Sequence, residues 1–152
     1  SDDGEVKLWD TRVSWSCSAR LLSHKAGVMS VTAKNNGHHL LSSGKDSRLL
    51  LWDVRSAERP CVEMQGQHEV GKTLMQCSFS SAQGTGNRFA CTGSVDGALV
   101  MYDADSGQAA ARLKGHSALV REVAWHPSLP VIASASWDGS VLLWGHGEEK
   151  DE

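Results

Sequence analysis

A six-residue step from an aspartate to an aromatic recurs along this chain and constrains its fold more than any other feature. It joins Asp3 to Trp9, Asp46 to Trp52, Asp96 to Tyr102 and Asp138 to Trp144, in "DGEVKLWD", "DSRLLLWD", "DGALVMYD" and "DGSVLLWG". In the last three copies a hydroxyl stands four residues before the aspartate (Ser42, Thr92, Ser134), and a histidine leads the copy (His24, His68, His116). His24 to Asp46 and His116 to Asp138 both span 22 residues, whereas His68 to Asp96 spans 28 because "SAQGTGN" (81–87) and a shift near "VGKT" lengthen it. The histidines are 44 and 48 residues apart. A period of that length marks units that cannot bury their apolar faces alone and must stack on their neighbours.

Each unit reads as four short strands, a to d. "VMSVTA", "HLLSS" and "RLLLW" are strands a, b and c of one repeat, and "ARLLSH" is the outer strand d of the repeat before. After a poorer strand at "CVEMQG", the series returns as "MQCSFS", "RFACTG" and "ALVMY", then as "QAAARLKGH", "VREVAWHP", "VIASAS" and "SVLLW". The third strands are nearly continuous apolar runs, as expected where both faces are covered. Asp-Gly and Lys-Asp pairs mark tight b–c turns. The fold class is therefore all-β. A hydrophobic fraction of 40% in 152 residues suffices for a packed core. The net charge of -3 and the lack of a Lys/Arg block argue against a nucleic-acid surface. No apolar run approaches the ~20 residues of a membrane span. Cys17, Cys61, Cys77 and Cys91 include no C-x-x-C pair and read as buried or indifferent thiols of a reducing compartment.

"GH" at 115–116 and "WD" at 9–10 and 52–53 are signature dipeptides, and with the repeat period they make the chain resemble the WD-repeat family along essentially its whole length. The resemblance implies a β-propeller. Residues 1–22 would be strands c and d of a truncated blade, 23–66 one repeat, 67–114 a repeat with an enlarged a–b loop, 115–145 a last repeat lacking its outer strand, and 146–152 a polar tail. About three blades of a seven-bladed ring are expected, as the C-terminal portion of a larger propeller. The resemblance also implies structural tetrads, in which Trp donates to Ser or Thr, the hydroxyl to His, and His to Asp. Those are His24, Ser42, Asp46 and Trp52; His68, Thr92, Asp96 and Tyr102; and His116, Ser134, Asp138 and Trp144. Buried polar groups of this kind must be paired. Tyr102 departs from the pattern, since its hydroxyl donates from a different place than an indole N–H. Ser, His and Asp are also the members of a hydrolase triad. Three near-copies and the lack of a G-x-S-x-G elbow argue against that reading, so no catalytic group, metal or cofactor is expected.

Function then rests on surfaces. In the family, positions before the tetrad aspartate and at the start of strand a point to one face, which nominates Lys45, Val95, Trp137, Met29, Met75 and Arg121 as a partner surface. The alternative is that Trp137 packs on its neighbours. At the opposite face "WDTR" (9–12) and "WDVR" (52–55) fit W-D-x-R, which resembles a box of the substrate receptors of the cullin-4 RING ubiquitin ligase. There the arginine approaches the ligase's propeller adaptor, the damage-specific DNA-binding protein. The residues nominated are Trp9, Asp10, Arg12, Trp52, Asp53 and Arg55. The alternative is that Arg12 and Arg55 make only local salt bridges to Asp10 and Asp53. The third and fourth copies, Tyr102-Asp103-Ala104-Asp105 and Trp144-Gly145-His146-Gly147, lack the box. "TLMQCSFSSAQGTGNRFACTGSVDGALVMYDADSG", "LVREVAWHPSLPVIASASWDGSVLLW" and "GKDSRLLLWDVR" resemble one subfamily of these receptors, that of the eleventh cullin-4-associated factor and its plant embryo-abundant relatives.

The expected role is thus a protein-interaction scaffold within a ubiquitin-ligase substrate receptor, with the adaptor, cullin-4 and a protein substrate as partners, no direct nucleic acid and no membrane, in nucleus and cytoplasm. The alternative is a general assembly scaffold for RNA processing, trafficking or chromatin. "KNNGHH", with His38 and His39, reads as a solvated loop rather than a metal site.

Overall fold

A computed structural model describes residues 1–13, 16–56, 58–71, 74–81 and 85–145. Residues 82–84 of "SAQGTGN", Lys72 and Thr73 of "VGKT", and the polar tail 146–152, including His146-Gly147 of the fourth box position, lie outside the described residues.

Among the described residues thirteen strands form four antiparallel sheets. In the first, β1 (Glu5–Asp10) pairs with β2 (Ser16–Leu22). The second is a meander of β3 (Val28–Ala33), β4 (His39–Gly44), β5 (Arg48–Asp53) and β6 (Val62–Gln65). The third repeats it with β7 (Cys77–Phe79), β8 (Phe89–Gly93), β9 (Ala98–Asp103) and β10 (Ala109–Lys114). The fourth has β11 (Val120–Trp125), β12 (Ile132–Ser136) and β13 (Val141–Trp144). This is the all-β, partial-propeller architecture that the repeats predict.

The stacking explains the continuous apolar runs of β5 and β9. Side chains alternate across a strand, and the second and third sheets each lie between two others. On β5, Leu50 and Trp52 face the first sheet with Val6 and Leu21, while Leu49 and Leu51 face the third. On β9, Ala98, Val100 and Tyr102 return that contact, and Leu99 faces the fourth sheet with Val120, Val123 and Ile132. A strand with no solvent face needs no polar alternation. Each fully buried leucine contributes about 1.5–3 kcal/mol, so the core lies between sheets rather than within any one of them.

The b–c turns follow from their Asp-Gly pairs. Residues Gly4, Gly97 and Gly139 have φ of 76°, 82° and 83°, and Ser47 takes the same left-handed place at 56°. The preceding aspartate accepts the N–H two residues on, from Glu5 (3.0 Å), Ala98 (3.3 Å) and Ser140 (2.9 Å), which closes the turn. Sheets also approach closely at Gly93, where a Cβ would stand 2.0 Å from the Val120 carbonyl oxygen.

Candidate interaction site

At one end of the stack the b–c turns meet the histidines. In the second sheet Trp52 Nε1–H donates to Ser42 Oγ (2.8 Å), which bonds His24 Nε2 (2.8 Å), and His24 Nδ1 lies 3.0 Å from Asp46 Oδ1. A carboxylate only accepts, so the proton sits on Nδ1 and Ser42 donates to Nε2. Asp46 also accepts from the Lys25 N–H (2.8 Å). Burial pulls the Asp46 pKa up, but Lys25 N–H, His24 and Arg48 outweigh it and hold the carboxyl below its ordinary range. The fourth sheet repeats the chain through Trp144, Ser134, His116 and Asp138, with bonds of 2.8, 2.8 and 3.0 Å. There the Ser117 N–H (2.9 Å) and the Ser140 hydroxyl (2.6 Å) also donate to Asp138. Each quartet ties strands b and c to the loop that enters strand a.

The third sheet is wired differently, which corrects the expectation for His68, Thr92, Asp96 and Tyr102. The Tyr102 hydroxyl bonds His68 Nδ1 directly (2.7 Å), because a phenol projects its oxygen beyond the place of an indole N–H. Thr92 Oγ1 and His68 Nε2 have no partner among the described residues. Asp96 is bound by Arg112 of β10 instead. The N–H after the histidine, which Asp46 and Asp138 take in the other sheets, falls here to Ser94 Oγ (Glu69 N–H, 3.0 Å). Burial pushes the His68 pKa down to about 4.

The opposite end carries the arginines. Arg12 forks onto Asp10 through Nε (3.1 Å) and Nη2 (2.9 Å), and Arg55 onto Asp53 through Nε (2.9 Å) and Nη2 (2.6 Å). The backbone N–H of each arginine donates to the same carboxylate at 2.9 Å, so the Asp-x-Arg turn is self-closed. The Arg55 guanidinium holds Asp53 well below the usual carboxylate range, and Arg12 does so for Asp10. The side chains of Arg12 and Arg55 are nonetheless 86% and 62% exposed, with Nη1 turned to no partner among the described residues. Trp9 is 56% exposed, but Trp52 is fully buried with its N–H committed to Ser42. Trp52 is thereby removed from the nominated docking residues.

On the quartet face, Trp137 is 59% exposed, and its backbone N–H donates to the Leu119 carbonyl (3.0 Å). Lys45 pairs with Asp2 at 2.8 Å. Met29 and Arg121 occupy β-bulges at the start of β3 and β11, which re-aim their side chains. Met75 is the exception. It is fully buried where the Gln76 N–H bonds the Arg121 carbonyl (2.9 Å) and draws that segment against β11, so it leaves the surface set.

Arg88, which belongs to none of the sequence motifs, precedes β8 and donates Nε–H to Asp103 Oδ2 at 2.7 Å. The "YDAD" copy lacks an arginine two residues after its aspartate, and the signal was a lone arginine at the end of the inserted loop.

The family profile described as "WD domain, G-beta repeat" matches residues 15–53 and 107–145. Over 189 residues the chain is 33% identical to the "DDB1- and CUL4-associated factor 11 homolog" of Caenorhabditis elegans, covering 99% of this chain and 33% of that protein. It is 29% identical to the "LEC14B homolog" of Prunus armeniaca, covering 95% of this chain and 38% of that protein. It is 32% identical to the "U5 small nuclear ribonucleoprotein 40 kDa protein" of Dictyostelium discoideum, over 94% and 52% respectively. The chain thus spans a third to a half of the length of these relatives.

Proposed function

The chain belongs to the WD domain, G-beta repeat family, a protein-interaction scaffold, and from that premise we propose that it forms part of a substrate receptor of the cullin-4 RING ubiquitin ligase. The observation that carries this reading is the repetition, on consecutive sheets, of an arginine locked onto the aspartate at the end of strand c yet largely exposed. Exposed ion pairs add little to stability, so stability alone gives no reason to build the same fork twice. A fork held rigid by its own aspartate loses little freedom on docking and keeps N–H groups for a partner's acceptors. The similarity to a DDB1- and CUL4-associated factor 11 homolog supports the same assignment. The adaptor then docks at the arginine end, the protein substrate elsewhere on the propeller, and the complex works in nucleus and cytoplasm.

The test is binding of the purified adaptor by the full-length protein, with and without the double change Arg12→Ala and Arg55→Ala. A loss of about tenfold or more is expected for removing arginine anchors. Undiminished binding, or no binding by the unaltered protein, rejects the receptor. The similarity to a U5 small nuclear ribonucleoprotein 40 kDa protein favours the second reading, a general assembly scaffold, and that second reading follows if the adaptor is not bound.

A further inference from the structure

We propose that Arg88 is the third arginine of the adaptor-docking end, supplied by the residue before strand b where the third sheet lacks the W-D-x-R arginine. The inference rests on the receptor reading and extends it to a residue outside the motif. The ladder shows the equivalence. In the second sheet His39 pairs with Asp53 and the Val54 N–H bonds the His38 carbonyl at 2.8 Å. In the third, Phe89 pairs with Asp103 and the Ala104 N–H bonds the Arg88 carbonyl at 2.8 Å. Arg88 therefore stands beside the terminal aspartate of strand c, one strand over from the place of Arg55. Its guanidinium reaches the equivalent carboxylate from the other side.

The consequences for that carboxylate match. Arg88, with Ser106 beside it, holds Asp103 down at a pKa of about 2. Arg88 also lies over the Phe89 ring at 5.6 Å, which restricts its stem. Its side chain is 64% exposed. Only Nε is engaged by Asp103, so both Nη groups have no hydrogen-bond partner among the described residues and remain available as donors on a largely exposed side chain. The row then stops. In the fourth sheet Gly145 replaces the aspartate, and Pro130 stands where Arg88 does, by the matching bonds of Ser80 N–H to Phe89 and His126 N–H to Val131, each 2.8 Å. Three consecutive sheets thus offer an aspartate-held guanidinium at the same end. A partner that reads this row presents acceptors such as main-chain carbonyls, since each arginine's charge is already countered by its own aspartate.

The experiment measures adaptor affinity of the full-length protein for Arg88→Ala, for Arg12→Ala with Arg55→Ala, and for the transplant Arg88→Ala with Asp105→Arg. The transplant restores an arginine two residues after Asp103, as in the first two sheets. About a tenfold loss for Arg88→Ala is expected, with recovery in the transplant and an unchanged melting temperature. Full affinity in Arg88→Ala, while the double change at Arg12 and Arg55 weakens binding, overturns the role of Arg88 and leaves the receptor reading standing. A loss that the transplant does not recover assigns the effect to the 103–107 loop and also overturns it. Absence of binding by the unaltered protein removes both.

Discussion

Ser42 and Thr92 occupy the same place in successive repeats, yet their replacement should have opposite consequences. Ser42 Oγ accepts from Trp52 Nε1 and bonds His24 Nε2, each at 2.8 Å. Ser42→Ala deletes both bonds at once and leaves an indole N–H and an imidazole nitrogen without partners. At about 1–3 kcal/mol for each orphaned buried group, the loss is roughly 2–6 kcal/mol. Thr92 Oγ1 is fully buried with no partner among the described residues. Thr92→Val keeps the shape and removes a hydroxyl whose burial already costs about 1–3 kcal/mol, so the expected change runs from neutral to about 2 kcal/mol of stabilisation. The assay is urea unfolding of the full-length protein, read as a shift of midpoint at constant slope. A destabilisation above about 1 kcal/mol in Thr92→Val would mean that its hydroxyl is bonded, and the divergent wiring of the third sheet would be refuted.

Two further predictions come from the same sheet. His68 stays neutral to about pH 4 in the fold, against 6.5 when free, so the unfolded chain binds the extra proton between those values. Stability is therefore full above pH 6.5, declines as pH falls towards 4, and is flatter over that window in His68→Gln, as denaturation midpoints across pH will read. Gly93→Ala puts a Cβ 2.0 Å from the Val120 carbonyl oxygen, where only backbone displacement relieves the clash. Its cost should reach the top of the ~1–3 kcal/mol range for overpacking or exceed it, and a melting temperature equal to that of the unaltered protein would show that the sheets separate freely.

The fold was legible because it is written in spacing. Apolar runs on β5 and β9, Asp-Gly turns and a 44-residue histidine step need no tertiary information to be seen. The spacing places each member of the quartets around Ser42 and Ser134 on a strand or turn, and the resemblance to the family implied how they bond. What escaped are the substitutions that change partners across strands. Tyr102 announces a departure, but nothing in the chain order says that Arg112 takes Asp96 or that Ser94 takes the Glu69 N–H. Arg88 and Asp103 meet only through the ladder of β8 and β9. Met75 looked like Met29 in sequence and differs in burial, because the segment holding it is drawn onto β11.

A stack tolerates such differences because each sheet touches only its neighbours. Loss of one His–Asp bond in the third sheet leaves the cores on either side intact, since Tyr102 still fills the contact with Leu49, Leu51 and Phe79. The same independence lets the arginine end diverge. The carboxylate at the end of strand c is present in the first three sheets, while its partner comes from two residues downstream in two of them and from the adjacent strand in the third. What recurs is a guanidinium held on that carboxylate, reached by two routes through the chain. On the receptor reading, the surface is defined by the aspartate-held guanidinium rather than by the motif, and a search for W-D-x-R alone undercounts it.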